Sequence, residues 1–355
     1  MGNVCTSESL EDREERTKNK RIEQQLRKHR QAYNREVKIL LLGAGESGKS
    51  TIFKQMKLLQ DNEFDKQTVK SMKRIIRQNI VSNLLAILRS SKNLNLKLEH
   101  PEEAEKYISF KFGKIEWDQE IFKLTKILWE DSGVKETLKT DDPRRMLGDS
   151  CFYFFESLDR IGEKDYLPTE QDILRARVRT TGLQEAHFKI GTFEFLLCDV
   201  GGQRNERRKW IHIFDNITSV LFCASLTGYS EVLREDYSTI RMEEAMNLFS
   251  EVCRSPHFKK ASIILFLNKF DLFKEKIKTI DLDTYFHDYK GNYDAEEATS
   301  YITQKFIKAG VNKFKKDRDI FPYATTAVDT KNIKYIFDSV SNTIMQTALE
   351  GLNFL

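Results

Sequence analysis

The chain has 355 residues, enough for two domains, and its 40% hydrophobic content can fill a packed core in each. Its net charge is only +4 and no basic block is interleaved with aromatics, so nucleic-acid binding is not expected. The longest apolar runs, such as IILFL, are strand-sized, so no membrane-spanning helix is expected either.

The first residues, MGNVCT, fit the N-myristoylation pattern M-G-x-x-x-[ST], with Gly2 as acceptor and Cys5 close enough to carry a palmitoyl group. No apolar signal core precedes them. The other cysteines, Cys151, Cys198, Cys223 and Cys253, make no CxxC pair and no metal-ligand spacing, so reduced thiols in an intracellular chain are expected. Residues 7–35 are polar and highly charged. Ile22, Leu26 and Tyr33 put a thin apolar stripe on one long helix there, either a solvated tail or an arm that docks a partner.

From Glu36 the pattern changes. VKILLLG reads as a buried strand and SGKSTIFKQMKLL as the helix after it. Four more strands are predicted at 193–200, 219–226, 261–268 and 320–327, with helices at 241–254, 295–309 and 331–349. This alternation implies a mostly parallel sheet covered on both faces. Between 62 and 176 strand candidates are scarce. Val69, Met72, Ile76, Ile80, Leu84 and Ile87 follow helical spacing, and 118–129 and 143–158 are also helix-like. The expectation is an α/β domain (36–61 and 177–355) interrupted by an all-helical insertion (62–176), with 1–35 as an N-terminal helical arm.

Residues 43–51, GAGESGKST, match G-x-x-x-x-G-K-[ST] between a strand and a helix. Gly43, Gly45 and Gly48 let backbone N–H groups around Glu46 and Ser47 turn inward onto phosphate oxygens. The following helix, opening through Lys49, Ser50 and Thr51, aims its positive end at the same place. Lys49 supplies a charge to the β- and γ-phosphates, and the Ser50 hydroxyl can ligate Mg2+. NKFD (268–271) chooses the base. Asp271 can accept from both guanine N1–H and the 2-amino group, a donor pair adenine lacks, while Asn268 supports the loop and the Lys269 stem covers the ring. In DVGGQ (199–203), Asp199 can hold Mg2+ through water, the Gly202 N–H can reach a γ-phosphate, and Gln203 can orient an attacking water.

GAGESGKST, RVRTTG, DVGGQRNERRKW and NKFD, in this order, resemble the alpha subunits of heterotrimeric G proteins over nearly the whole chain. The resemblance implies a P-loop, Ras-like GTPase domain with an inserted helical domain, binding GTP and GDP with Mg2+ and hydrolysing GTP slowly. Such turnover suits a timer. It makes Arg177 the catalytic arginine beside Gln203, and Thr180 a Mg2+ ligand with Ser50. Arg175, next to Leu174, becomes a nucleotide contact at the domain linker, and Arg179 a solvated neighbour. Glu46 is expected to pair with the catalytic arginine, and Asp149 and Ser150 to approach the nucleotide from the helical domain. Residues 201–215 match switch II, where Trp210 is either a moving part or plain core.

The partners implied are a beta-gamma dimer on the N-terminal helix and switch II, a seven-helix receptor or other exchange factor at the C-terminus, RGS-type GTPase activators, an effector of unknown identity, and the cytoplasmic face of the plasma membrane, reached by lipid anchors. Two departures stand out. The family's base-contacting T-C-A-T is TTAV here (325–328), with Ala327 retained at the position facing guanine O6, and the C-terminal GLNFL matches no assignable subclass. A stand-alone GTPase without beta-gamma is the alternative reading. A P-loop ATPase is a third, opposed by NKFD.

Overall fold

The structure, a computed structural model, describes residues 36–110, 117–140, 147–190, 193–233, 235–236, 238–311 and 319–353, with side chains to 346. The predicted N-terminal arm, with Gly2 and Cys5, lies outside the described residues. Six strands form one sheet: β1 (Glu36–Leu42), β2 (Leu183–Ile190), β3 (Phe193–Val200), β4 (Ser219–Ser225), β5 (Ser262–Asn268) and β6 (Ile320–Thr325). Their spatial order is β2-β3-β1-β4-β5-β6. All pairings are parallel except β2 against β3.

After β1 comes α1 (Lys49–Asp61). The chain then makes α2 (Lys66–Asn93), α3 (Pro101–Ser109), α4 (Gln119–Glu130), α5 (Ser132–Lys139), α6 (Cys151–Glu156), α7 (Leu158–Gly162) and α8 (Glu170–Arg175) before entering β2. Beyond β4, helices again alternate with strands: α9 (Arg241–Arg254), α10 (Phe270–Lys276), α11 (Ala295–Gly310) and α12 (Thr330–Asn353).

Parallel strands buried on both faces need apolar residues on both, which is why EVKILLL does not alternate polar with apolar. Leu40 and Leu42 pack into one core, together with Phe249 of α9 and Phe306 of α11. Ile39 and Leu41 face the opposite core, with Ile52 and Met56 of α1 and Ile336 and Val340 of α12. The helices between 66 and 175 have a separate core. In it α2 buries Ile76, Ile80, Leu84 and Ile87, three or four residues apart. Asp65, Asp118 and Asp131 cap α2, α4 and α5 by accepting from backbone N–H groups. Trp129 stacks on Phe155 at 3.9 Å.

Two expectations need correction. The helix read over 143–158 is not one helix: among the described residues 147–150 form a turn, and α6 and α7 are separated at Ser157, whose ψ of 12° breaks the helical path. The antiparallel strand β2 was not anticipated. It is an edge strand in which Ala186 and Phe188 are the buried residues, so LQEAHFKI carries too few apolar residues to stand out.

Candidate nucleotide site

The loops after β1, β3, β5 and β6 all open at the carboxyl edge of the sheet, the usual place for a ligand in an open parallel sheet. Opposite them stand residues 148–151 and 174–180. Together they enclose a cavity of about 660 Å³. Every residue named above for nucleotide or Mg2+ lines it except Gly43 and Asp199, which lie directly behind the lining.

The loop after β1 is shaped by its glycines. Gly43 has φ +140° and Gly48 φ +104°, and a Cβ at either would overlap a neighbour, the Cys223 carbonyl or the Asn268 amide. Glu46 also adopts a left-handed φ of 63°. No side chain caps α1 at Gly48, so the positive end of the helix is directed at the cavity. Lys49 is buried, its Nζ donating to the Gly43 (3.0 Å) and Ala44 (2.7 Å) carbonyls. Burial lowers its pKa, partly offset by the nearby Asp199 charge. A Cβ on Gly202 would overlap that Nζ, so only glycine lets the loop after β3 close this far onto the phosphate loop.

Ser50, Thr180 and Asp199 meet at one point. The two hydroxyls lie 2.6 Å apart, and both donate to Asp199 Oδ2, Ser50 at 2.9 Å and Thr180 at 3.3 Å. Asp199 Oδ1 is buried and lacks a hydrogen-bond partner among the described residues. Burial raises the pKa of this carboxyl against the pull of Lys49. Three hard oxygen donors beside an unsatisfied buried carboxylate oxygen fit Mg2+.

At the other end Asn268 is a junction. Its Nδ2 donates to the Ser47 carbonyl at 2.9 Å, and its Oδ1 accepts from Ala327 N (3.0 Å) and Thr325 Oγ1 (3.2 Å). Cys223 Sγ donates to the same Ser47 carbonyl at 2.9 Å. On α1, Gln55 Nε2 donates to the Ala327 carbonyl at 2.8 Å. Lys269 sits at φ 66° and forms an ion pair with Asp149 of the helical side at 2.7 Å. Burial opposes both charges and their mutual attraction overcomes it, raising the pKa of Lys269 and lowering that of Asp149. Asp271, Leu272, Ala327 and Val328 wall this end.

Arg177 is paired with Glu46 at 2.5 Å, and Glu46 also binds Arg241 at 2.9 Å. Gln203 lies beside Gly45, where a Cβ would come within 3.5 Å of its Cγ. Ser150 lies at the start of α6. Thr51 Oγ1 donates to the Leu174 carbonyl at 3.5 Å, and the Arg175 guanidinium covers the Tyr153 ring at 4.8 Å. Arg179 is exposed at the rim.

Four contributors carried no motif and were missed in the sequence. Lys54 and Asn79 hold the backbone that leads into Arg177. Cys223 supports the phosphate loop from β4. Glu244 of α9 accepts from Arg204 and Arg207, both at 2.7 Å, while Arg207 Nε donates to the Gly202 carbonyl at 3.2 Å. Trp210 belongs to the sheet core, as one of its two expectations had it, and its Nε1 donates to the Gly201 carbonyl at 2.9 Å.

A family model described as G-protein alpha subunit matches residues 16–344. The G(o) subunit alpha of Planorbella trivolvis is 41% identical over 353 residues, 98% of each chain. The alpha-4 subunit of Dictyostelium discoideum is 42% identical over 340 residues, 95% of this chain and 97% of its own. A guanine nucleotide-binding protein subunit alpha of Emericella nidulans is 42% identical over 347 residues, 96% of this chain and 97% of its own. With the phosphate loop, the base loop and the arginine-bearing linker gathered on one cavity, this chain belongs to the G-protein alpha subunit family.

Proposed function

We propose that the cavity binds GTP with its phosphates on the 43–51 loop and its guanine against Asp271, and that Arg177 and Gln203 hydrolyse it. A G-protein alpha subunit is a guanine-nucleotide-binding GTPase that acts with beta-gamma, receptor and effector partners. The observation that carries the residue assignments is the convergence of the loops after β1, β3, β5 and β6 and of residues 148–151 and 174–180 on one cavity. Ser50 and Thr180, and Asp199 through water, would hold Mg2+, which when bound would neutralise charge on the phosphate oxygens. Lys49 adds its charge there. Gln203 orients the attacking water, and Arg177, freed from Glu46, stabilises the charge that develops on the transferred group. The helical body over 62–176 covers the nucleotide, and Asp149 and Ser150 approach it from that side.

The finer partner readings belong to the same proposal. Beta-gamma docks on the N-terminal helix and switch II, the C-terminus meets a seven-helix receptor or other exchange factor, and RGS-type activators speed the hydrolysis. Myristate on Gly2 and palmitate on Cys5 anchor the chain at the cytoplasmic face of the plasma membrane, two lipids being needed for stable attachment. A stand-alone role is less favoured, because the family match begins at residue 16, well inside the N-terminal arm.

GTPγS binding by the purified chain, with and without Mg2+ and with ATPγS as competitor, tests the site. Saturable Mg2+-dependent binding that ATPγS does not displace is expected. Equal displacement by ATPγS would sink the guanine reading. For the anchor, Gly2→Ala should move most of the protein to the soluble fraction; retention in the membrane pellet would rule out myristate as the primary attachment.

A further inference from the structure

The segment carrying Arg177 has no regular structure: residues 177–181 belong to neither helix nor strand. Something else must fix its backbone, because a flexible arginine on a loose loop is poorly placed to meet a transition state. Two side chains from the two domains do this. Lys54 Nζ, on α1, donates to the Ala176 carbonyl at 2.7 Å and to the Ile173 carbonyl at 2.9 Å. Asn79, on α2, accepts from the Arg177 N–H at 2.7 Å through Oδ1 and donates to the Arg177 carbonyl at 3.2 Å through Nδ2.

The Ala176 carbonyl and the Arg177 N–H belong to the same peptide group. That group is therefore gripped at its oxygen from the sheet domain and at its nitrogen from the helical domain. Both grips start from firm ground: Asn79 lies between the fully buried Ile76 and Ile80, and Lys54 between the buried Phe53 and Gln55. Lys54 is itself partly desolvated, which lowers its pKa to about 8, so near neutral pH it still donates mainly as the cation.

We propose that Asn79 and Lys54 are positioning residues that act through Arg177, holding its peptide group so that the guanidinium addresses the transferred phosphoryl group only while the two domains are closed. The proposal rests on the catalytic reading of Arg177. It gives the helical domain a part in hydrolysis beyond covering the nucleotide, because one of the two grips is lost when that domain swings away.

The test is single-turnover hydrolysis by the full chain preloaded with GTP. Asn79→Ala and Lys54→Met are each made in the parent chain and in the Arg177→Cys chain, with GTPγS binding and melting temperature measured alongside. Each change should slow hydrolysis about tenfold in the parent, a loss of orientation rather than of a reacting group. In the Arg177→Cys background each should change the rate less than twofold, since no arginine is left to position. GTPγS binding by Asn79→Ala should stay at the parent level. Unchanged hydrolysis by Asn79→Ala, or equal slowing in both backgrounds, would overturn the proposal while leaving Arg177 catalytic. Near-normal hydrolysis by Arg177→Cys alone would overturn the reading of Arg177, and the proposal with it.

Discussion

The two walls of the cavity are built in opposite ways. On the sheet side the polar groups are locked into one another. Asn268 bonds to Ser47, Ala327 and Thr325, Lys49 is buried on the loop carbonyls, and three left-handed or strained backbone positions, Gly43, Gly48 and Lys269, fix the loops. On the helical side single side chains reach across: Asp149, 40% exposed, to Lys269, and Gln171 to the Val328 carbonyl at 3.0 Å. The linker beside it sends Arg177, 42% exposed, to Glu46. Each of these ion pairs has one partner about two-fifths exposed and the other more buried, so water reaches one side of each pair and weakens it. On the proposed reading, recognition of the nucleotide thus lies with the interlocked sheet wall, and its timing with the contacts that reach across the cavity.

Changes at the reacting end should show the largest effects. Gln203→Leu and Arg177→Cys should each slow single-turnover hydrolysis about 100-fold or more while GTP binding is kept, because both act on charge or water that matters only as the bond breaks. Loss of binding in step with hydrolysis would mean these residues belong to the recognition wall.

A second test strikes the inner anchorage of the helical wall. Asp172 is fully buried and accepts from Arg160 (2.6 and 2.9 Å), Tyr153, Tyr166 and the Thr169 N–H. Burial would raise its pKa, but these bonds prevail and lower it from 3.8 to about 2. A depressed carboxyl stabilises the fold above its ordinary pKa, and that contribution drains away as pH falls from about 4 through 2. The expected size is about 2 kcal/mol. Denaturant melts should therefore find Asp172→Asn less stable by about that amount at pH 7, with the gap closing toward pH 2. A gap independent of pH would refute the assignment.

Base choice tests the rigid wall. Asp271→Asn trades two acceptors for one acceptor and one donor, so xanthine, with O2 in place of the amino group, becomes the better match. Competition between GTP and XTP should invert, by about tenfold on each side. An unchanged preference for GTP would show that Asp271 does not read the base.

The smallest effect is expected from Asp149→Asn, which removes a single half-exposed pair across the cavity. GDP release should quicken only about two- to fivefold, with hydrolysis unaffected. A much larger acceleration would mean that the helical wall, and not the sheet, holds the nucleotide.

The sheet wall was legible because its chemistry sits in short contiguous motifs. A glycine at φ +140° or an asparagine joining two loops leaves a fixed local spelling, as in GAGESGKST and NKFD. Buried parallel strands likewise announce themselves as unbroken apolar runs, and Phe193–Val200 falls where FEFLLCDV predicts it. The helical wall was readable as helices, and as a site only through the family resemblance that named Asp149 and Ser150. Asn79 is one polar residue on an amphipathic helix, and nothing local says that it meets a backbone 98 residues away. Lys54 reads as a solvated lysine until its carbonyl partners, more than 100 positions on, fold back over it. The edge strand β2 escaped for a related reason. Its fold depends on pairing with β3, not on its own composition.

The bonds joining Gln55 and Asn268 to Ala327 bear on the order in which the protein is made. The phosphate loop leaves the ribosome early, yet Cys223 and Asn268, which brace it at the Ser47 carbonyl, arrive 176 and 221 residues later, and Ala327, bonded to Gln55 of α1, arrives 272 residues after its partner. The helices of 66–175, with a core of their own, can fold while synthesis continues. The nucleotide pocket has to wait for β6 and the turn after it. The wall that would face the guanine is therefore complete only once Ala327 has been made and has met Gln55 and Asn268.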